Sequence, residues 1–314
     1  MGRGNFTTLL VFITAISLFP FIGSGSYVLT VGIFSGINAL VAIGLCILMG
    51  YAGQVSLGQA GFYGIGAYVS AVISVKFGLP VIVCMAAGMA VAAGAAVVLA
   101  IPALRLKGHY LAVATLGFGE IIHVILNEWG LGGPSGFGDI PNFSLFGITV
   151  ESASSFFYLV WGVVAVTAVF SFNLINSRNG RALRAIHDSE TASNAMGVDV
   201  SVLKIKVFIL SAVYAAFAGS LYAHYVTFIS PASFSLFHSV LLLMMVIVGG
   251  ITNIWGAIVG AVVITVLPEL LKKFEEFDIL VYGLILTLSL MFFRKGLVPL
   301  IIDKLQQRKG SGRA

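Results

Sequence analysis

Ten apolar stretches follow one another with short polar breaks, near residues 6–22, 27–49, 56–75, 80–102, 110–127, 156–176, 206–229, 236–250, 254–271 and 277–293. Most have the roughly 17–25 residues a helix needs to cross a hydrocarbon layer about 30 Å thick. In lipid every backbone N–H and C=O must be paired within the protein, so a spanning segment is a helix or a strand of a closed barrel. Barrel strands alternate apolar and polar residues, and VGIFSGINALVAIGLCILM (31–49) does not. The expected fold is therefore all-α and polytopic, with about ten transmembrane helices in one membrane domain spanning 1–314. Composition excludes a soluble globule: 9% of residues are charged and 59% hydrophobic, where soluble domains carry about 25% charge.

Charge placement orients the chain. With the N-terminus in the cytoplasm, the inner side receives Arg3, Arg105, Lys107, Arg178, Arg181, Arg184, Lys204, Lys206, Arg294, Lys295, Lys304, Arg308, Lys309 and Arg313, fourteen of the seventeen basic residues. The outer side receives Lys76, Lys272 and Lys273, the last two among Glu269, Glu275, Glu276 and Asp278. Positive charge in short loops stays inside, so both termini are expected in the cytoplasm and 294–314 forms a basic cytoplasmic tail. The +5 net charge thus follows sidedness rather than nucleic-acid binding. Two points stay open. Segments 236–250 and 254–271, joined by Ile251-Thr252-Asn253, either cross twice or form a re-entrant hairpin. The first segment reads as an uncleaved helix, with a cleaved secretory signal as the alternative.

Small residues recur at helical spacing: Ser56, Ala60 and Gly64; Ala86, Ala90 and Gly94; Gly256 and Gly260. Such stripes let helix backbones approach closely in lipid, and packing is the plain reading of most of these glycines. Cys46 and Cys84 lie in apolar runs without metal or redox spacing, and read as small packing residues. The stretch GYAGQVSLGQ (50–59) differs. Gly50, Gly53, Gln54, Ser56 and Gln59 combine loose backbone with uncharged polar groups, and Gly249-Gly250-Ile251-Thr252-Asn253 makes a second break in the other half. Interrupted hydrophobic segments in both halves of a transporter point to its pathway. Gly50, Gly53, Gln54, Ser56, Gln59, Gly249, Gly250 and Asn253 are accordingly candidates for the path or its gate.

Glu120 and His123 share one face of the fifth stretch, LAVATLGFGEIIHVIL. An intramembrane carboxylate is costly and points to function; a structural hydrogen bond, to His123 or a neighbouring helix, is the competing reading. A carrier coupled to an ion gradient by Glu120 and His123 usually needs more acidic groups than this one. GxxxxGK[ST], HExxH, GxSxG and clustered Cys/His ligands are all missing from the sequence. The chain reads as a transport subunit rather than an enzyme, with no cofactor or metal of its own and energy supplied by another subunit.

The longest polar stretch, 178–204, holds a short helix in DSETASNAMG. Asp188 or Ser189 caps its start, Glu190 suits the positive end of its dipole, and Gly197 fits the left-handed position beyond its end. Asp199 caps the next helix, and Ala192, Ala195 and Met196 form a small apolar face. Two capped ends and a smooth face suit a docking surface better than a connector. The candidate coupling residues are Asp188, Glu190, Ala192, Ala195, Met196 and Gly197.

This segment, with KIKVFILSAVYAAFAGSLYA (204–223), resembles the cytoplasmic coupling segment of ABC-importer membrane subunits. That family's Glu-Ala-Ala…Gly pattern is met only loosely, by Glu190, Ala192 and Gly197. GYAGQVSLGQAGFYGIGAY (50–68), GHYLAVATLGFGEII (108–122) and LGGPSGF (131–137) narrow the resemblance to the larger of the two permeases in branched-chain amino-acid importers, over roughly 35–295. Related urea and short-chain amide permeases share the Gly-rich stretch. The resemblance implies a type II, vitamin-B12-permease-like architecture in a bacterial inner membrane. It implies a heterodimer with a second homologous permease, two cytoplasmic ATPase subunits using ATP-Mg, and a periplasmic solute-binding protein. The path would run between the permeases, and loop 128–155 would meet the binding protein or simply fold as a cap.

Overall fold

The fold is seen in a computed structural model that describes residues 25–103, 108–128, 132–145, 148–150 and 152–271, with a few isolated positions beyond. All eight apolar stretches between 27 and 271 are helical. Helix α1 (Ser26–Cys46) runs into a π-helical turn, Ile47–Tyr51. It is followed by α2 (Gln59–Phe77), α3 (Val81–Ala103), α4 (His109–Glu128) and α5 (Ala153–Asn176). Two short helices, α6 (Arg178–Asp188) and α7 (Glu190–Ala195), precede α8 (Val200–Val226), α9 (Leu236–Gly249) and α10 (Ile254–Leu271). Among the described residues six helices, α1 to α5 and α8, are long and apolar enough to cross a membrane. The expected segments 6–22 and 277–293 and the tail 294–314 lie outside the described residues, apart from a few positions.

Helix α2 sits at the centre, against α8. The two backbones touch: a Cβ added at Gly66 would collide with the Ala216 carbonyl oxygen, and one at Gly219 with that of Tyr63. Ser220 Oγ donates to the Gly66 carbonyl at 3.0 Å, pairing a hydroxyl where no water reaches. On the other side of this pair, Gly88 of α3 packs against Gly66 and Ser220. Helices α9 and α10 form a hairpin closed the same way, Gly249 lying against Gly256 and Gly260. The apolar core continues through α1 with Ile33, Ile37, Leu40 and Ile43.

Two expected stripes are corrected. Ala86, Ala90 and Gly94 face outward, while Gly88, Ala92, Ala96 and Ala100 are the buried face of α3. That helix carries small residues on both faces, so spacing alone selects neither. Ser56 is buried but belongs to the extended connector 53–58 rather than to the face of α2, which starts at Gln59. Gly256 and Gly260 do line the contact expected of them.

The hairpin is not two equal crossings. Phe234, just before α9, lodges midway along α2 beside Tyr63 and Tyr68, with ring centroids 5.6 Å from each. Helix α9 therefore starts inside the bundle and spans only about 21 Å at 1.5 Å per residue. Above it the loop after α4 folds as a cap. Phe137 and Ile229 exchange backbone hydrogen bonds at 2.9 and 3.0 Å, and Ser144–Leu145 pairs with Ile148–Thr149. Buried His224 of α8 binds the Pro141 carbonyl through Nδ1 and the Ser70 hydroxyl of α2 through Nε2, both at 2.8 Å.

If backbone contact at Gly66 holds α2 on α8, Gly66→Leu should sharply reduce the monodisperse protein recovered from membranes in mild detergent. Gly94→Leu, whose added Cβ meets open space, should give near wild-type recovery. Equal recovery of the two in fluorescence-detected size-exclusion profiles would contradict that contact's role.

Candidate functional site

The segment between α5 and α8 is built from caps. Ser177 ends α5 and caps α6, its Oγ accepting from the Gly180 N–H at 3.3 Å. Arg181 and Arg184 reach back to the last carbonyls of α5, donating to Asn176 O at 3.2 Å and Ile175 O at 2.7 Å. Cations are favoured at that negative end of the helix. Helix α6 buries Gly180, Leu183 and Ile186 on one side, which presses it onto the bundle.

Ser189, not Asp188, caps α7, its Oγ accepting from the Ala192 N–H at 3.3 Å. Asp188 is the exposed last residue of α6. Gly197 leaves α7 with φ +80°, a conformation that costs glycine little. Asp199 then caps α8 through a 3.0 Å bond from the Val202 N–H. Glu190 forms an ion pair with Lys204 of α8 at 2.5 Å; Lys204 is 7% exposed. Lys204 is a functional candidate that sequence reasoning counted only as an inner-side charge. With Ser193 turned inward, Ala192, Ala195 and Met196 are left exposed, Met196 at 83%. The arm is thus rigid at both ends and presents a small apolar surface.

A second group forms where the two Gly-rich breaks meet. Gly50, in the π-helical turn, lies directly against the Ile251 carbonyl. The same carbonyl accepts from Cys46 Sγ at 3.2 Å, and the Thr252 carbonyl accepts from the Tyr51 hydroxyl at 2.7 Å. Asn253 caps α10, its Oδ1 accepting from the N–H groups of Trp255 and Gly256 at 3.0 and 3.3 Å. Gly249 and Gly250 are buried at the end of α9. Gly53 has φ +66° and faces His187 of α6, whose Nδ1 would lie 3.0 Å from an added Cβ. Gln54 is 1% exposed with neither amide atom bonded, and Gln59 binds Ser211 Oγ at 3.1 Å through Nε2. Ser56 accepts from the Gly58 N–H at 3.5 Å.

Glu120 and His123 lie apart from this group. Glu120 is exposed on α4, aligned with exposed Val113, Ile121 and Val124. It makes no hydrogen bond or ion pair with any described residue, so the expected bond to His123 is not formed. His123 is partly buried with Nδ1 unbonded. The opposite face of α4 packs on the connector: Thr115 Oγ1 accepts from the Leu57 N–H at 3.0 Å, and Gly119 touches Gly61. Gly117 faces open space. Only 17% of the most apolar window of α4 is buried, against 83% for α1, so α4 offers the bundle one narrow face and leaves the carboxylate face bare.

The described residues form a helical bundle with six helices long and apolar enough to cross a membrane, which suits a multi-pass membrane protein. The sequence profile of the family described as "Branched-chain amino acid transport system / permease component" matches residues 27–293, and the chain belongs to that family. It is 33% identical over 302 residues to "High-affinity branched-chain amino acid transport system permease protein LivM" of Salmonella typhimurium (strain LT2), covering 88% of this chain and 71% of that protein. The same figures hold for the LivM of Escherichia coli (strain K12). "Probable branched-chain amino acid transport permease protein LivM" of Methanocaldococcus jannaschii is 27% identical over 216 residues, 63% of this chain and 62% of that protein. No solved structure matches the chain.

Removing the carboxylate from Glu190 leaves the Lys204 ammonium unpaired in a nearly buried position. Breaking such a bond costs about 1–3 kcal/mol, toward the lower end because Glu190 is partly open to water. Glu190→Ala should therefore speed proteolysis within 189–199 while helices α2 and α8 stay intact. Unchanged cleavage rates would show that the pair does not hold the arm.

Proposed function

We propose that this chain is the membrane-spanning subunit of an ATP-driven importer, that it forms half of a translocation path for branched-chain or related neutral amino acids, and that arm 188–197 is gripped by a cytoplasmic ATPase. The partners in this reading are a second homologous permease, two ATPase subunits that use ATP-Mg, a periplasmic solute-binding protein and the lipid of a bacterial inner membrane. Both termini are cytoplasmic, and the chain carries about ten membrane helices in the vitamin-B12-permease-like manner, the α9–α10 hairpin among them. The observation that carries the reading is the arm itself: capped at Ser189 and Asp199, held by Lys204, and exposing Ala192, Ala195 and Met196.

The bare face of α4 supports a path at the edge of this subunit. A carboxylate halfway along a spanning helix is too costly to face lipid and is covered by protein or water. Glu120 then looks toward the second permease, with the path between them. ATP binding draws the two arms together, the spans attached to them tilt, and the path opens alternately to each side. Branched-chain side chains are apolar, so small and apolar residues pass them without a tight intramembrane site, and selection falls to the soluble partner.

Purification in mild detergent should bring an ATP-hydrolysing subunit and a second permease with this chain. In proteoliposomes carrying the whole complex, Glu120→Gln should lower uptake about tenfold, the effect of about 1.4 kcal/mol on a barrier, with the complex still assembled. Uptake by the chain alone, driven by an ion gradient, would contradict the reading and favour a Glu120/His123 carrier; urea or amide uptake by the complex would change the solute class only.

A further inference from the structure

The turn between α1 and α2 touches both helix α6, which leads directly into the arm, and the α9–α10 hairpin, and each contact is built from different residues. On the α6 side, the His187 ring rests over Gly53, whose missing Cβ leaves the room for it and whose φ of +66° suits glycine. On the hairpin side, Gly50 abuts the Ile251 carbonyl, which Cys46 also binds, and the Tyr51 hydroxyl bonds to Thr252 O at 2.7 Å. Between the two contacts lies the π-helical turn Ile47–Tyr51. Such turns are rare, hold one residue more than α-helix allows, and concentrate at functional sites. The extra residue is visible in the closing bond: the Gln54 N–H reaches back to Leu48 O at 3.1 Å, one residue further than a helix end closed by a left-handed residue normally requires.

We infer that the π-helical turn Ile47–Tyr51 is a relay that passes movement of the arm, through His187 and Gly53, to the α9–α10 turn at Gly250–Asn253. His187, Gly53, Gly50 and Tyr51 are its positioning residues. Coupling between distant sites needs an element with two arrangements, and a π turn supplies one: drawing its extra residue into α-helix rotates and shifts everything from Ala52 onward. Gln54 carries a cost in this arrangement. It is buried with both amide atoms unpaired, and a buried polar group without partners disfavours the state that holds it. A change of register at the turn moves Gln54 first, since it is the residue whose N–H closes the turn.

The inference rests on the arm being an ATPase handle, and one experiment separates the two claims. Tyr51→Phe, His187→Ala and the double variant are assembled as complete complexes in proteoliposomes with the solute-binding protein, and leucine uptake and ATP hydrolysis are measured together. Each single variant should lower leucine moved per ATP by about threefold or more, within the range seen along coupling networks. The double variant should fall no lower than the worse single one, because serial links are non-additive. A merely structural role lowers uptake and hydrolysis in proportion and leaves their ratio unchanged, which overturns the relay. Additive losses overturn it as well. If His187→Ala fails to assemble, Tyr51→Phe alone decides, and an unchanged ratio sinks the inference. A wild-type complex whose uptake ignores ATP would instead refute the handle, and the relay with it.

Discussion

Two apolar helices gain little by leaving lipid for one another, so a bundle in hydrocarbon depends on contact at backbone distance and on paired polar groups. Here that contact is α2 against α8. Gly66 meets Ala216, Gly219 meets Tyr63, and Ser220 bonds across to Gly66. The rest of the molecule hangs on this pair. Helix α8 begins at the Asp199 cap, carries Lys204 beside the arm, and near its end binds the loop after α4 through His224. Helix α2 begins just after the turn and connector 47–58, which meet the α9–α10 hairpin at Gly50 and Tyr51 and helix α6 at Gly53. One seam of backbone contact therefore joins the end that carries the arm to the end that carries the loop after α4.

The helices were legible because length and apolarity are local properties: eight stretches between 27 and 271 became helices with boundaries a few residues from those expected, six of them long and apolar enough to cross a membrane. Caps were legible for the same reason, since Gly197 and Asp199 act within one turn of their own positions. What could not be read depended on depth and on distant partners. Both faces of α3 are small, so the buried row of Gly88, Ala92, Ala96 and Ala100 was indistinguishable from Ala86, Ala90 and Gly94. The Glu190–Lys204 pair spans fourteen positions across two caps, beyond any helical spacing rule. Ser56 sat in the right periodic position for α2, but the helix starts three residues later. The meeting of Gly50 with Ile251 had no sequence signal beyond the presence of glycine at both breaks.

Glu120 shows how a lone polar residue changes meaning once its direction is known. From sequence it was a path residue or a buried hydrogen-bond partner. On α4 it is exposed, with no hydrogen bond or ion pair among the described residues. The arm and this face are at different places on the chain, and the connector 53–58 lies between them, packed by α4 on one side and by His187 on the other.

The most direct measurement is proximity in the assembled membrane. In a chain with Cys46 and Cys84 replaced by serine and Met196→Cys introduced, a short thiol-reactive cross-linker applied to inside-out vesicles should join this subunit to a cytoplasmic ATP-hydrolysing protein, with the yield changing on addition of ATP. Labelling of position 196 only from the outer face, or no protein within reach of it from the inside, would contradict the account.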